Sequence, residues 1–146
     1  MNAFATFLAV MAGLAGSVQV AVMTRLGDRV GVYAALAWAT ILTALLAVGL
    51  LLVAKQSVSG IADAARQPVW LWTGAALSLL IVFTITYSGS RLGIVATVAI
   101  LIAGQLFMAA VIDRFGLFGA ERVGLTVPRV LGIVLLATGA ALTLKR

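Results

Sequence analysis

The sequence contains no cysteine and no histidine. Their absence removes disulfides, thiolate nucleophiles, the usual zinc ligands and the commonest general base, and with them most familiar enzyme chemistry. Acid is scarce as well: four Asp and Glu stand against ten Lys and Arg, and charged residues make up 10% of the 146 positions. What is present instead is apolar. The chain is 64% hydrophobic with a mean hydropathy of +1.22, a composition that excludes an ordinary soluble domain and reads as integral to a membrane. The net charge of +6 would suggest a nucleic-acid partner in a soluble protein. Here the basic residues stand singly in short segments, with no run to track phosphates, so they read as loop anchors and no nucleic-acid partner is expected. No metal or cofactor is expected either. The opening stretch MNAFATFLAVMAGLAGS lacks a basic n-region and its apolar run exceeds a signal h-region, so it is expected to be kept as the first span.

Crossing a hydrocarbon core of about 30 Å takes about 20 apolar residues, and the charged or Pro/Gly-rich interruptions leave five segments of that size. They are expected at residues 2–24, 33–54, 69–88, 93–112 and 128–144, the last opening on Pro128, whose missing N–H costs nothing in a first helical turn. The expected fold is an all-α integral membrane protein, a single five-helix domain over residues 1–146. Trp70 and Trp72 open the third span, and Phe115 and Phe118 follow the fourth, positions suited to the lipid–water interface. The segment Tyr87–Gly93 reads as a tight connection between spans three and four, able to serve as a turn or a hinge.

Threading these spans as a zigzag places Lys55, Arg66, Arg114, Arg122 and Arg129 on one face and Arg25, Arg29, Arg91, Lys145 and Arg146 on the other. Loop Lys and Arg decide which way a membrane protein faces, so a five-to-five tie makes the two insertions nearly equivalent. Two oppositely inserted copies would form the inverted pair on which many transporters are built, with a binding site near the midplane. The alternative is that small counts tie by accident and one orientation still prevails.

Helices in lipid gain nothing by burying apolar area against one another, so they associate through small residues. Ala5, Ala9, Gly13, Ser17 and Ala21 recur every fourth residue in span one, and Ala35, Ala39, Thr43 and Ala47 do so in span two. Such ridges serve packing within one subunit or between copies. Polar side chains at membrane depth are costly and mark candidate sites. Gln105 lies mid-span in span four and Gln19 in the last third of span one; each amide either meets a solute or bonds a neighbouring helix. Trp38, several residues inside span two, and Tyr87, near the end of span three, add aromatic faces that can hold a flat or cationic solute or simply pack. No acid lies mid-span. Asp28, Asp63 and Glu121 are expected in loops, and Asp113 ends span four beside Arg114, suited to an interfacial ion pair and, if transport is proton-coupled, the main candidate.

The run SRLGIVATVAILIAGQLFMAAVIDRFGLFG from Ser90 to Gly119, with VQVAVMTRLG from Val18 to Gly27, resembles the small YdcZ-type inner-membrane exporters, a five-span branch of the drug/metabolite transporter superfamily. The shared elements are RLG, AGQL and IDxFG. The sequence departs from the pattern at Met23, where relatives carry Asn, and after Trp38, which is followed by Ala39 rather than Gly. The resemblance implies a multi-pass inner-membrane exporter of small solutes. It also implies a five-helix unit equivalent to half of a ten-helix inverted-repeat fold, in which the first four helices of each half line a cavity and the fifth joins the halves. Relatives assemble as antiparallel homodimers, paired heterodimers or fused proteins, and the charge tie points to the homodimer. By the same resemblance Gln19, Gln105, Arg91 and Asp113 become candidates for binding, coupling or gating.

The resulting expectation is an alternating-access transporter of a small molecule, acting as an antiparallel homodimer. A small dual-topology channel and a non-transporting membrane subunit stand as alternatives, and an enzyme is disfavoured for want of a nucleophile–base pair or metal cluster. A C-terminal tag on the full chain is expected to be labelled from both sides of the membrane in intact cells and inverted vesicles. Labelling from one side alone would refute dual insertion.

Overall fold

In a computed structural model, residues 2–55, 58–124 and 126–144 are described; Lys145 and Arg146, counted above in the charge balance, lie outside them. The described residues are all-helical. Six α-helices run in order: α1 Ala3–Val30, α2 Val32–Lys55, α3 Ser59–Ala65, α4 Thr73–Leu92, α5 Ile94–Phe115 and α6 Val127–Thr143. A 3-10 turn, Val69–Trp72, leads into α4. Four stretches are long and apolar enough to cross a membrane: Ala3–Val30, Val32–Ala54, Val69–Leu92 and Ile94–Phe115. The shorter apolar helix α6, with Pro128 in its first turn, has 17 residues, about 26 Å of rise, at the lower limit for a span.

Two expected loops are corrected. The Tyr87–Gly93 segment is not a loop: α4 continues through it to Leu92, and only Gly93 separates α4 from α5. Likewise α1 does not stop at Thr24 but carries Arg25, Asp28 and Arg29 in its final turns, leaving Gly31 as the sole break before α2. Charges end the hydrocarbon-buried part of a helix without ending the helix, because Arg and Leu are good helix formers and the backbone bonds persist beyond the lipid. What ends each helix is a glycine at positive φ, +88° at Gly31 and +86° at Gly93, a conformation costly for residues with a Cβ. Each glycine also starts the next helix, its carbonyl accepting from Ala35 N at 3.0 Å and from Thr97 N at 3.1 Å respectively. One residue thus serves as stop and start. Asp63, also expected in a loop, lies in the short exposed helix α3.

The chain forms two compact units, Met1–Val20 with Arg91–Arg146, and Ala21–Ser90. In the first, α6 packs on α5, and the buried residues of these helices are small: Ala96, Thr97 and Ala140. In the second, the C-terminal part of α1 meets α4 at a reciprocal contact. Thr24 and Gly27, three apart on one face of α1, oppose Thr86 and Gly89, three apart on one face of α4. A Cβ placed on Gly27 would lie 2.7 Å from Thr86 Cγ2, and one on Gly89 would collide with Thr24 Oγ1. Most large side chains point outward, Leu45, Leu50 and Val53 of α2 and Leu80 of α4 among them, as helices that meet lipid require; Val20 and Met23 of α1 and Ile85 of α4 are buried.

Gly89→Ala is therefore expected to lower stability by about 1–3 kcal/mol through overpacking, read as a lower thermal midpoint in detergent micelles. Gly49→Ala, whose added methyl meets nothing within 4 Å, should leave the midpoint unchanged or slightly raised. Equal responses would remove the close contact from the account of stability.

Candidate functional site

Hydroxyls within the helices are mostly consumed by their own backbone. Thr40 Oγ1 donates to Leu36 O at 2.9 Å, Thr84 Oγ1 to Leu80 O at 2.8 Å, Thr86 Oγ1 to Val82 O at 2.7 Å and Thr138 Oγ1 to Val134 O at 2.8 Å. This back-bonding lets a hydroxyl sit in lipid without an external partner. Thr24 Oγ1 and Thr97 Oγ1 differ: both are buried and have no partner among the described residues. The sequence reading singled out neither residue. For Thr24 the signal is its three-residue spacing from Gly27, matched by that of Thr86 from Gly89 on the facing helix; Thr97 has no such signal.

The candidates named from sequence divide between the two units. Gln19 on α1 and Gln105 on α5 belong to the first, and both are exposed. Neither amide has a hydrogen-bond partner among the described residues. Trp38 on α2 and Tyr87 on α4 belong to the second and are 61% and 43% exposed. Tyr87 stacks on Phe83 with centroids 5.8 Å apart, and Phe83 meets Tyr33 at 6.0 Å. The three rings form a ladder from the start of α2 along α4, of which the sequence identified only Tyr87 as a candidate. Among the described residues Trp38 takes no part in it. Arg91 is exposed in the last turn of α4.

On the first unit the small-residue ridge of α1 lies open. Ala9 and Gly13 are exposed, and a Cβ at Gly13 would meet nothing within 4 Å. Ser17 Oγ donates to Gly13 O at 3.4 Å and edges a groove of about 520 Å³ whose other walls include Val95, Ala99 and Ile102 of α5 and Leu135 and Gly139 of α6. The groove carries no charged residue, so it suits an aliphatic group or an apolar helix face rather than an ion.

Asp113, at the end of α5, pairs with Arg129 of α6 at 3.0 Å rather than with the adjacent Arg114. Its backbone carbonyl accepts from Val123 N at 2.9 Å, so the same residue fastens both the returning chain and the start of α6. Gly116 then caps α5 in a left-handed conformation, close enough to Arg122 that a Cβ would lie 2.7 Å from Arg122 Cγ. The IDxFG element thus has a local structural use, a corner between α5 and α6. The paired side chains are 44% and 32% exposed, which limits the interaction to about 1 kcal/mol or less. Asp113→Asn should lower the thermal midpoint only slightly, and Asp113→Arg combined with Arg129→Asp should recover the loss. Additive losses in that double variant would mean that the two side chains do not interact.

Comparison with known proteins agrees with these features. The family described as "Putative inner membrane exporter, YdcZ" matches residues 4–142. No curated protein and no solved structure matches the sequence. The family match spans every long apolar helix and both short RLG-bearing segments, and the helices supply the multi-pass membrane architecture that an exporter of this kind requires. The chain belongs to the YdcZ family of inner-membrane exporters.

Proposed function

We propose that the chain is a small-molecule exporter that works by alternating access as an antiparallel homodimer, each copy supplying one five-span half. The observation that carries this reading is the exposure of Gln105 in the middle of α5, without a hydrogen-bond partner among the described residues. An amide left bare in hydrocarbon costs several kcal/mol in the limit of a fully apolar surrounding, so such a group faces a solvated cavity or another protein surface. Gln19, exposed on α1, is in the same position. A second, inverted copy answers both demands: it covers the outward polar groups and encloses a cavity lined by them.

Three further features support the pairing. The open ridge of Ala9, Gly13 and Ser17 offers close backbone approach to another helix. The Lys and Arg tie permits both insertions. The charge-free groove beside α6 accepts an apolar helix face, consistent with the fifth span joining two halves. In this dimer Gln19 and Gln105 hydrogen-bond the solute, and Trp38 and Tyr87 supply aromatic faces for a flat or cationic moiety. Asp113, held by Arg129, and Arg91, at the end of α4, are the groups through which a proton or a gate would act.

In liposomes the purified protein is expected to give saturable, solute-dependent flux from a panel of small amphipathic and cationic compounds. Gln105→Leu should abolish solute binding while cross-linking still captures the dimer. Unchanged binding would reduce Gln105 to a helix contact, and unsaturable flux with single-channel steps would replace the carrier by a channel.

A further inference from the structure

α1 has 28 residues and therefore rises about 42 Å, some 10 Å more than a hydrocarbon core. With its apolar N-terminal portion in the lipid, the excess carries Arg25 and Arg29 into the headgroup layer. These two residues, one turn apart, line a shallow, open groove along one side of α1 together with Ala21, Val22 and Leu26. Along the helix axis Ala21 and Val22 lie at one end and Arg29 at the other, with Arg25 and Leu26 between them.

Both arginines are exposed, and neither has an ion-pair partner among the described residues. The acid nearest in sequence, Asp28, does not line the groove and is paired with neither. Their backbone positions are about 6 Å apart along the axis, so two like charges share one side of the helix at the edge of a low-dielectric layer, where an anion between them is favourable. Guanidinium forks bind phosphate in a bidentate manner. The aliphatic wall directly below them is what distinguishes this groove from a site for a free ion.

We propose that the Arg25–Arg29 groove binds the phosphodiester headgroup of an anionic phospholipid, with an acyl chain lying along Ala21, Val22 and Leu26. The proposal goes beyond export and does not depend on it: it requires only that α1 spans the membrane. The bound lipid neutralises two of the basic residues on one face and fixes the depth of α1, and so holds the adjoining Gly31 joint at the membrane surface.

The test is native mass spectrometry of the full chain released from micelles containing phosphatidylglycerol, phosphatidylcholine or inorganic phosphate as probes. Retention of phosphatidylglycerol over phosphatidylcholine is expected, and Arg25→Gln with Arg29→Gln should reduce that preference about thirtyfold, from about fivefold per residue. Arg66→Gln with Arg114→Gln removes the same charge elsewhere and should leave the preference intact. Equal losses in the two double variants would overturn the site in favour of net charge. Displacement of the lipid by inorganic phosphate alone would overturn it in favour of a free anion. If the Gln pair fails to fold, Arg25→Lys with Arg29→Lys decides the matter, since it keeps the charge but not the fork; a several-fold loss of preference supports the site, and no loss refutes it.

Discussion

A backbone in hydrocarbon has no water to bond, so each amide must be satisfied within the chain. Much of this structure follows from that constraint. Spans are continuous helices, and the joints between α1 and α2 and between α4 and α5 are reduced to one glycine each, Gly31 and Gly93. A longer irregular loop would expose unpaired carbonyls near the lipid. The glycine keeps the ladder almost intact: Gly31 N still donates to Gly27 O at 2.9 Å while Gly31 O already accepts from Ala35 N. Hydroxyls follow the same logic, closing onto carbonyls one turn back, and this makes Thr24 and Thr97 the exceptions among buried hydroxyls of the described residues.

The second consequence concerns what holds helices together. Lipid is as apolar as leucine, so burying large side chains between helices offers no advantage, and close approach of backbones becomes the stabilising contact. Six of the buried positions follow this rule, Ala35, Ala96 and Ala140 with Thr24, Thr86 and Thr97, while Val20, Met23 and Ile85 are larger side chains buried beside them. Thr24 and Gly27 fit against Thr86 and Gly89 so closely that a single methyl does not fit. The amides of Gln19 and Gln105, by contrast, lie exposed on the surface of their own unit.

The membrane class, the number of apolar segments and the family motifs were legible in the sequence, because hydropathy over about 20 residues reports directly on lipid. Helix ends were not, because charge marks the edge of the hydrocarbon and not the end of the helix, as at Arg25 to Val30, and because Gly and Ser suit a turn yet are tolerated within a helix, as at Tyr87 to Leu92. The tripeptide RLG shows the limit of motif reading. At Arg25–Gly27 its glycine sits inside a helix and permits contact with Thr86, whereas at Arg91–Gly93 its glycine breaks the helix at φ +86°. The same letters meet two different physical demands, and only the neighbours decide which. AGQL differs again: an added Cβ at Gly104 would meet nothing within 4 Å, so packing among the described residues does not call for its small residue, which lies beside the exposed Gln105.

The Asp113–Arg129 pair bears on how the charge tie is to be counted. In the folded protein Arg129 is offset by a carboxylate at 3.0 Å, which would seem to leave four effective charges on its face against five. Orientation, however, is set while segments enter the bilayer, and acidic residues contribute little to it. The pair joins the end of α5 to the start of α6, so it can form only after α6 has been inserted and packed. Arg129 is therefore a full charge when direction is chosen and a neutralised one afterwards. The proposed dual insertion is therefore compatible with the ion pair, because the charge tie would act as segments enter the bilayer and the pair forms only afterwards.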